Sequence, residues 1–297
     1  MTLLLAALPA VSQASTIYKF TDANGVVNYT DRQTPGAQVL VFRDRMVEHL
    51  EQQVHLDINR TPASTTFTAR NELYAPVEIE LKLGGLGNVQ GQPAATVHSV
   101  VPPRASVTLA LLAARQPGQP IRFTQQFRYA LGDPSRQPSA YAYPLPWLGG
   151  PFRVSQGPNG KYSHTGAKSR YAIDIAMPRG TPIVAARSGI VVKVENGQPE
   201  GGAEASGNFV RVLHDDGTMG VYLHLTQGSV SVREGQSVTV GTPLARSGNT
   251  GNSNGPHLHF VVQRNVGLAL ESIPYGFDQP LAGLPAPMLG QSGPARP

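Results

Sequence analysis

The chain has 297 residues, of which 32 are Gly and 26 Pro, about a fifth of the chain against roughly an eighth in average usage; charged residues make up 14% where about a quarter is ordinary. Such a composition excludes a helical bundle or coiled coil, the absence of Cys excludes a disulfide scaffold, and no apolar run of about 18 residues follows the first few positions to suggest a multi-span membrane protein. The net charge of +5 suits an anionic partner or simple solubility; no Lys/Arg cluster is interleaved with aromatics, so no nucleic-acid partner is expected.

Residues 1–14 read MTLLLAALPAVSQA, an apolar stretch from Leu3 to Val11 followed by small residues where a signal peptidase cuts. A cleaved export signal is the favoured reading, although the Lys/Arg n-region is missing; a buried N-terminal segment is the alternative. No stable membrane span is then expected in the mature protein. Residues 15–50 form a small module. Two alternating runs, from Ile17 and to Tyr29, flank Asn24-Gly25, the strongest short hairpin signal. With Tyr18-Lys19-Phe20, Asp22, Gly25, Tyr29 and Asp31 it resembles a module common at the N-terminus of exported proteobacterial proteins.

Residues 51–131 alternate strands and turns at a spacing near ten, with predicted strands at 65–71, 77–83, 96–101, 106–112 and 121–129, which argues a β-sandwich-like domain. The segment 105–114 also fits a helix, since short apolar runs are ambiguous. His55 and His98 read as structural residues on strand faces. Residues 132–150 form a Pro-rich linker, expected to be stiff and extended, with Trp147 docking on a neighbouring domain. Residues 274–297 lose periodicity and read as a disordered tail. The fold class is mainly β throughout.

Residues 151–273 carry the chemistry. Gly-Pro-His257-Leu-His259-Phe follows a Gly-rich turn at 248–255, and on a strand residues i and i+2 share a face, so both imidazoles project together. Asp174 lies in the apolar stretch 172–177, where an unpaired buried carboxylate costs several kcal/mol and a cation relieves it. His164 sits ten positions upstream beside Gly166. His224, in Val-Tyr-Leu-His224-Leu, lies in an alternating pattern that assigns it a side but no partners.

These pieces, in order, resemble the lysostaphin-type (LytM-like) zinc endopeptidases of peptidoglycan: a His before Ala-Ile-Asp174-Ile-Ala-Met-Pro, the Tyr222-Leu-His224-Leu strand, Ser247-Gly-Asn-Thr-Gly251 and Gly-Pro-His257-Leu-His259-Phe. The resemblance covers some two-fifths of the chain. It implies a C-terminal antiparallel β-sheet peptidase domain with a groove, and one Zn2+ ion held by Asp174, His259 and a further His. Most members place that further ligand four residues before the Asp, where this chain has Arg170, which stays protonated and cannot coordinate. His164 is therefore assigned, with His214 the alternative. The resemblance implies His257 as general base and His224 as the other active-site histidine, a donor to the oxyanion. It also implies peptidoglycan as partner and the periplasm as location. The long loop 196–207 and the turn 248–255 are the candidate lips of the groove. A catalytically silent peptidoglycan-binding regulator that activates an amidase is the alternative. The Pro-rich linker would also let the middle domain cover the groove.

Overall fold

The structure, a computed structural model, describes residues 53–202 and 204–281 and, before them, the backbone of three strands. The predicted export signal at 1–14 and positions 282–297 of the predicted tail lie outside the described residues. β-Branched and aromatic residues alternating between turn residues favour strands, and among the described residues there is no helix. Two compact units divide the chain, Met1–Val47 and Glu48–Pro297. In the first, β1 (Ser15–Thr21), β2 (Val27–Thr30) and β3 (Gln38–Phe42) form an antiparallel sheet in the order β2-β1-β3. The pairing of β1 with β2 runs from Tyr18↔Thr30 to Thr21↔Val27 around the Asn-Gly pair. The third strand was not signalled.

The second unit begins with β4 (Val54–Arg60), β5 (Ser64–Asn71), β6 (Val77–Gly87), β7 (Thr96–Val101), β8 (Ser106–Ala113) and β9 (Arg122–Leu131). They make two three-stranded sheets, β4-β5-β8 and β7-β6-β9. Phe67 and Ala69 from one sheet and Ile79 and Leu81 from the other are fully buried in a shared core. The ambiguous segment 105–114 is strand β8, its backbone paired along β5 from Ser64↔Ala113 to Arg70↔Ser106.

Then follow β10 (Ala142–Tyr143), β11 (Arg153–Gln156), β12 (Ile173–Ala176), β13 (Pro182–Val184), β14 (Gly189–Glu195), β15 (Asn208–Leu213), β16 (Met219–Leu225), β17 (Ser237–Val238), β18 (Pro243–Arg246), β19 (His257–Asn265), β20 (Leu270–Ser272) and β21 (Gly276–Phe277). The main sheet runs β11-β12-β19-β16-β15-β14-β17, with β20 on the far part of β19. Its paired strands are antiparallel.

Two expectations are corrected here. The 132–150 segment is no extended spacer, and the chain beyond Pro274 does not at once become a tail: β10 pairs in parallel with β21. Tyr143, Trp147, Tyr275 and Phe277 are all buried in the core beneath the main sheet, with Tyr143 stacked edge-on against Tyr275 at 5.6 Å. Burying aromatic area outweighs what the breaker-rich composition suggests.

The sandwich packs on one end of the main sheet. Val192, Met219 and Leu270 lie in its core, and Asn265 donates to the Gly132 carbonyl at 3.0 Å. Met219 opens β16 and His224 stands near its other end, five residues on, about 17 Å at strand rise. The sandwich contacts therefore lie at the end of the sheet away from the histidines, and the middle domain does not cover the groove through them.

Candidate metal centre

Strand register brings the centre together. Asp174 on β12 is the direct partner of His259 on β19, and His257, two residues earlier on the same face, stands opposite Ala176. His259 Nδ1 lies 2.8 Å from Asp174 Oδ1, and His257 Nε2 is 3.7 Å from the same oxygen. His164, fully buried, reaches in from the loop before β12 with Nε2 at 3.2 Å from that oxygen. His164, Asp174 and His259 offer ligand atoms that all lie within 4.8 Å of one another. Arg170 is exposed, and His214 lies outside this group, its Nδ1–H on the Ser188 carbonyl at 2.9 Å.

Carbonyl partners settle which ring nitrogens carry hydrogen. His164 Nδ1 contacts Gly157 O at 2.8 Å, His257 Nδ1 contacts Gly255 O at 2.8 Å and His224 Nδ1 contacts Thr250 O at 2.8 Å. A carbonyl only accepts, so each Nδ1 donates and each neutral ring presents a lone pair at Nε2. For His164 that lone pair is buried, without a hydrogen-bond partner, and beside a carboxylate oxygen. Two acceptors face to face repel unless a proton or a cation lies between them. A His held by a backbone carbonyl with its other nitrogen free is the usual metal-ligand arrangement, so the residues fit a cation. Burial pushes the Asp174 carboxyl up, but hydrogen bonding and positive charge at the flanking His164 and His259, when a proton stands where the cation would, outweigh it and hold it well below the usual carboxylate range. Asp174 is therefore an anion at neutral pH.

His224 overturns the alternation argument. Tyr222 pairs with Phe260 and Leu223 with His259. Strict alternation would put His224 on the Tyr222 face, away from His259. Instead the register with β15 shifts between Asn208 and Val210, and His224 takes a left-handed φ of 62°. The bulged backbone re-aims the side chain. Its ring sits 4.7 Å from that of His257 and 5.8 Å from that of His259. Burial, with the nearby charges of His257 and His259, pushes the His224 imidazole down to about 3. The ring is neutral at working pH, and its Nε2 accepts.

The two candidate lips are one wall. Glu200 bridges to Thr250, Asn252 N donates to Ala205 O at 3.0 Å, and a Cβ on Gly251 would come within 2.4 Å of Gly207 N. The loop 196–207 therefore lies on the turn 248–255, on the β15/β16 side of the site. The loop 157–170, bearing His164, stands on the β12 side. Thr250 and Gly255 in the turn supply the carbonyls that orient His224 and His257. Sequence reasoning missed this second task, and it missed Gln156, whose Nε2 donates to Asp174 Oδ2 at 2.7 Å. A lone Gln beside a Gly has no signal of its own; only its place near a strand expected to flank β12 could have raised it.

Residues 168–270 match Peptidase family M23. The chain carries an M23 peptidase domain. The matched stretch holds Asp174, His224, His257 and His259, while His164 lies just upstream of it. Residues 4–41 match a domain of unknown function (DUF4124). The M23 domain is similar to peptidoglycan DD-endopeptidase ShyA of Vibrio cholerae, 40% identical over 87 residues that cover 29% of this chain and 18% of that protein. It is similar to an uncharacterized metalloprotease of Haemophilus influenzae, 38% identical over 116 residues covering 38% of this chain and 23% of that one. Among solved structures, lysostaphin of Staphylococcus simulans is 30% identical over 38% of this chain and 43% of its own, with a TM-score of 0.31. The chain spans about a fifth of the length of the curated relatives it matches.

Proposed function

We propose that this protein is an exported, zinc-dependent endopeptidase that hydrolyses peptide bonds in peptidoglycan stem peptides or crosslinks, acting in the periplasm. The observation that carries this reading is the lone pair of His164 Nε2, buried and unpartnered beside Asp174 and His259, with His257 Nε2 3.7 Å from the same carboxylate and the His224 ring 4.7 Å from that of His257. The M23 match and the name of the Vibrio relative support the substrate class. The export signal read at 1–14 supports the location, and among the described residues no helix is long and apolar enough to cross a membrane.

His164, Asp174 and His259 would hold the ion. Three protein ligands leave a position open, as catalytic rather than structural zinc sites do. Zinc held there supplies Lewis-acid polarisation of the scissile carbonyl and lowers the pKa of a water towards about 7. His257, its Nδ1–H fixed on Gly255 O, has Nε2 free to take the proton of the attacking water and return it to the leaving amine. His224, neutral and fixed on Thr250 O, accepts a hydrogen bond from that water and orients it. An extended peptide would lie between the 157–170 loop and the combined 196–207 and 248–255 wall.

The test is digestion of isolated sacculi with analysis of released muropeptides, with and without a chelator. Release of peptide-cleaved products that stops on chelation and returns with Zn2+ is expected. No cleavage under any metal condition sinks the enzymatic reading.

A further inference from the structure

We infer that Gln156 is the positioning residue that makes the ten-residue His164-to-Asp174 loop competent to hold a metal; this rests on the ligand set proposed above. The side chain has every polar atom committed. Its Nε2 donates to Asp174 Oδ2 at 2.7 Å and to Ser163 Oγ at 2.7 Å, and its Oε1 accepts from the Tyr162 backbone N–H at 3.1 Å. One amide thus grips the ligand carboxylate on one side and, on the other, the two residues immediately before His164. Its own place is fixed: Gln156 is the strand partner of Asp174 just beyond a register shift in β11, and a Cβ on Gly160 would come within 2.3 Å of its Cγ.

The chemistry follows from the two carboxylate oxygens. Oδ2 is taken by Gln156, so Oδ1 is the oxygen left facing His164, His257 and His259. Gln156 therefore sets the carboxylate to offer a single oxygen. It also fixes the turn that carries His164, whose Nδ1 is oriented by Gly157, the next residue along from Gln156. A His four residues before the Asp would need no such tie. A His ten residues away is carried on a loop of its own, and the loop has other anchors that do not touch the carboxylate: Ser272 Oγ donates to Ala167 O at 2.8 Å and Asn159 N to Arg170 O at 2.7 Å. These anchors separate loop closure from carboxylate positioning.

The experiment measures zinc affinity by chelator competition and the visible spectrum of the cobalt-loaded protein, on the full chain, for wild type, Gln156→Met, Gln156→Asn and Ser272→Ala. Gln156→Met keeps length without a donor; Gln156→Asn keeps the amide but is one methylene too short to span both contacts. Both are expected to lose about 10–100-fold in zinc affinity, the scale of losing a partner of a metal ligand, and to change the cobalt spectrum, with kcat falling more than KM rises. Ser272→Ala is expected to keep the wild-type spectrum. Zinc affinity within about 3-fold of wild type and an unchanged cobalt spectrum in either folded Gln156 variant would overturn the inference, as would an equal loss in Ser272→Ala. If wild type itself binds no zinc, it is the ligand set that fails, and the inference falls with it.

Discussion

The sandwich and the histidine end of the main sheet use the same strands and turns but fill their interiors differently. In the sandwich, Phe67, Ala69, Ile79 and Leu81 close the core, and the buried Asn71 is fully satisfied, donating to the carbonyls of Ala75, Val101 and Pro102 and accepting from the Leu73 N–H. The histidine end buries His164, Asp174, His224 and His259, leaves the Nε2 atoms of His164 and His259 without hydrogen-bond partners, and holds His224 at a positive φ. Each such departure costs on the order of 1–3 kcal/mol. One region is built for packing; the other is held against packing by strands that continue into well-packed structure. Places where local rules are broken without packing gain are where function is expected.

The strongest way to break this comparison is to remove the polar members of the histidine end. Asp174→Ala is expected to abolish metal binding and peptide release together, read by metal analysis of the dialysed protein and by muropeptide release. His257→Ala should keep one metal per chain while turnover falls by about 100- to 10,000-fold, the range for a lost general base. Loss of the metal in His257→Ala would mean that His257 and His259 have been given each other's roles.

His224→Asn tests strain directly. Asn tolerates the left-handed conformation better than most residues, so the variant should be as stable as wild type or more so in urea unfolding, while kcat falls by about 100-fold or more. A fall in stability of more than about 1 kcal/mol would show that the His224 ring is a packing element, contrary to the division drawn above.

How far these features could be read from sequence varies by residue. Asp174 stood out because a carboxylate inside 172–177 needs a partner, and the i, i+2 spacing of His257 and His259 on a strand is a strong geometric statement. The strands of the sandwich follow their turn residues closely: the expected 96–101 is β7 itself. The partners of His224 were not legible, since a register shift and a positive φ at one residue leave no mark in an alternating pattern. The pairing of the loop 196–207 with the turn 248–255 depends on two glycines approaching across about 44 positions of sequence, and long-range contact is invisible to local reading. The strap at 132–150 and the strand at 276–277 were hidden by prolines and glycines that mark turns as readily as linkers.

The sandwich supplies the complementary test. Leu81→Ala is expected to cost about 2–5 kcal/mol by opening a cavity in a fully buried site, with zinc affinity at saturating folded protein unchanged. Loss of zinc affinity out of proportion to unfolding would mean that the two regions are not separate in function. A pH dependence of similar size arises from His214. Burial pushes its imidazole down to about 4, so the folded state keeps it neutral where the unfolded chain already binds a proton. The stabilisation is complete above about 6.5 and is lost as pH falls from there towards 4, by up to about 3 kcal/mol. Urea midpoints that fall between pH 7 and pH 5 in wild type, and fall less in His214→Leu, check it; a midpoint that rises on acidification reverses the sign.

The smallest effect expected concerns the histidines of the sandwich. His98 lies 3.6 Å from Glu80, but its side chain is 60% exposed, and Glu80 keeps Lys82 at 3.3 Å and Arg128 at 3.2 Å without it. His55 is 4.0 Å from Glu72, which is also paired with Arg70. Exposed pairs of this kind contribute little. The double variant His55→Gln, His98→Gln should match wild type in urea midpoint, in peptide release and in metal content at one ion per chain. A second metal equivalent in wild type that disappears in the double variant would place a metal site on the sandwich, and the contrast between a packed region and a chemical one would then no longer hold.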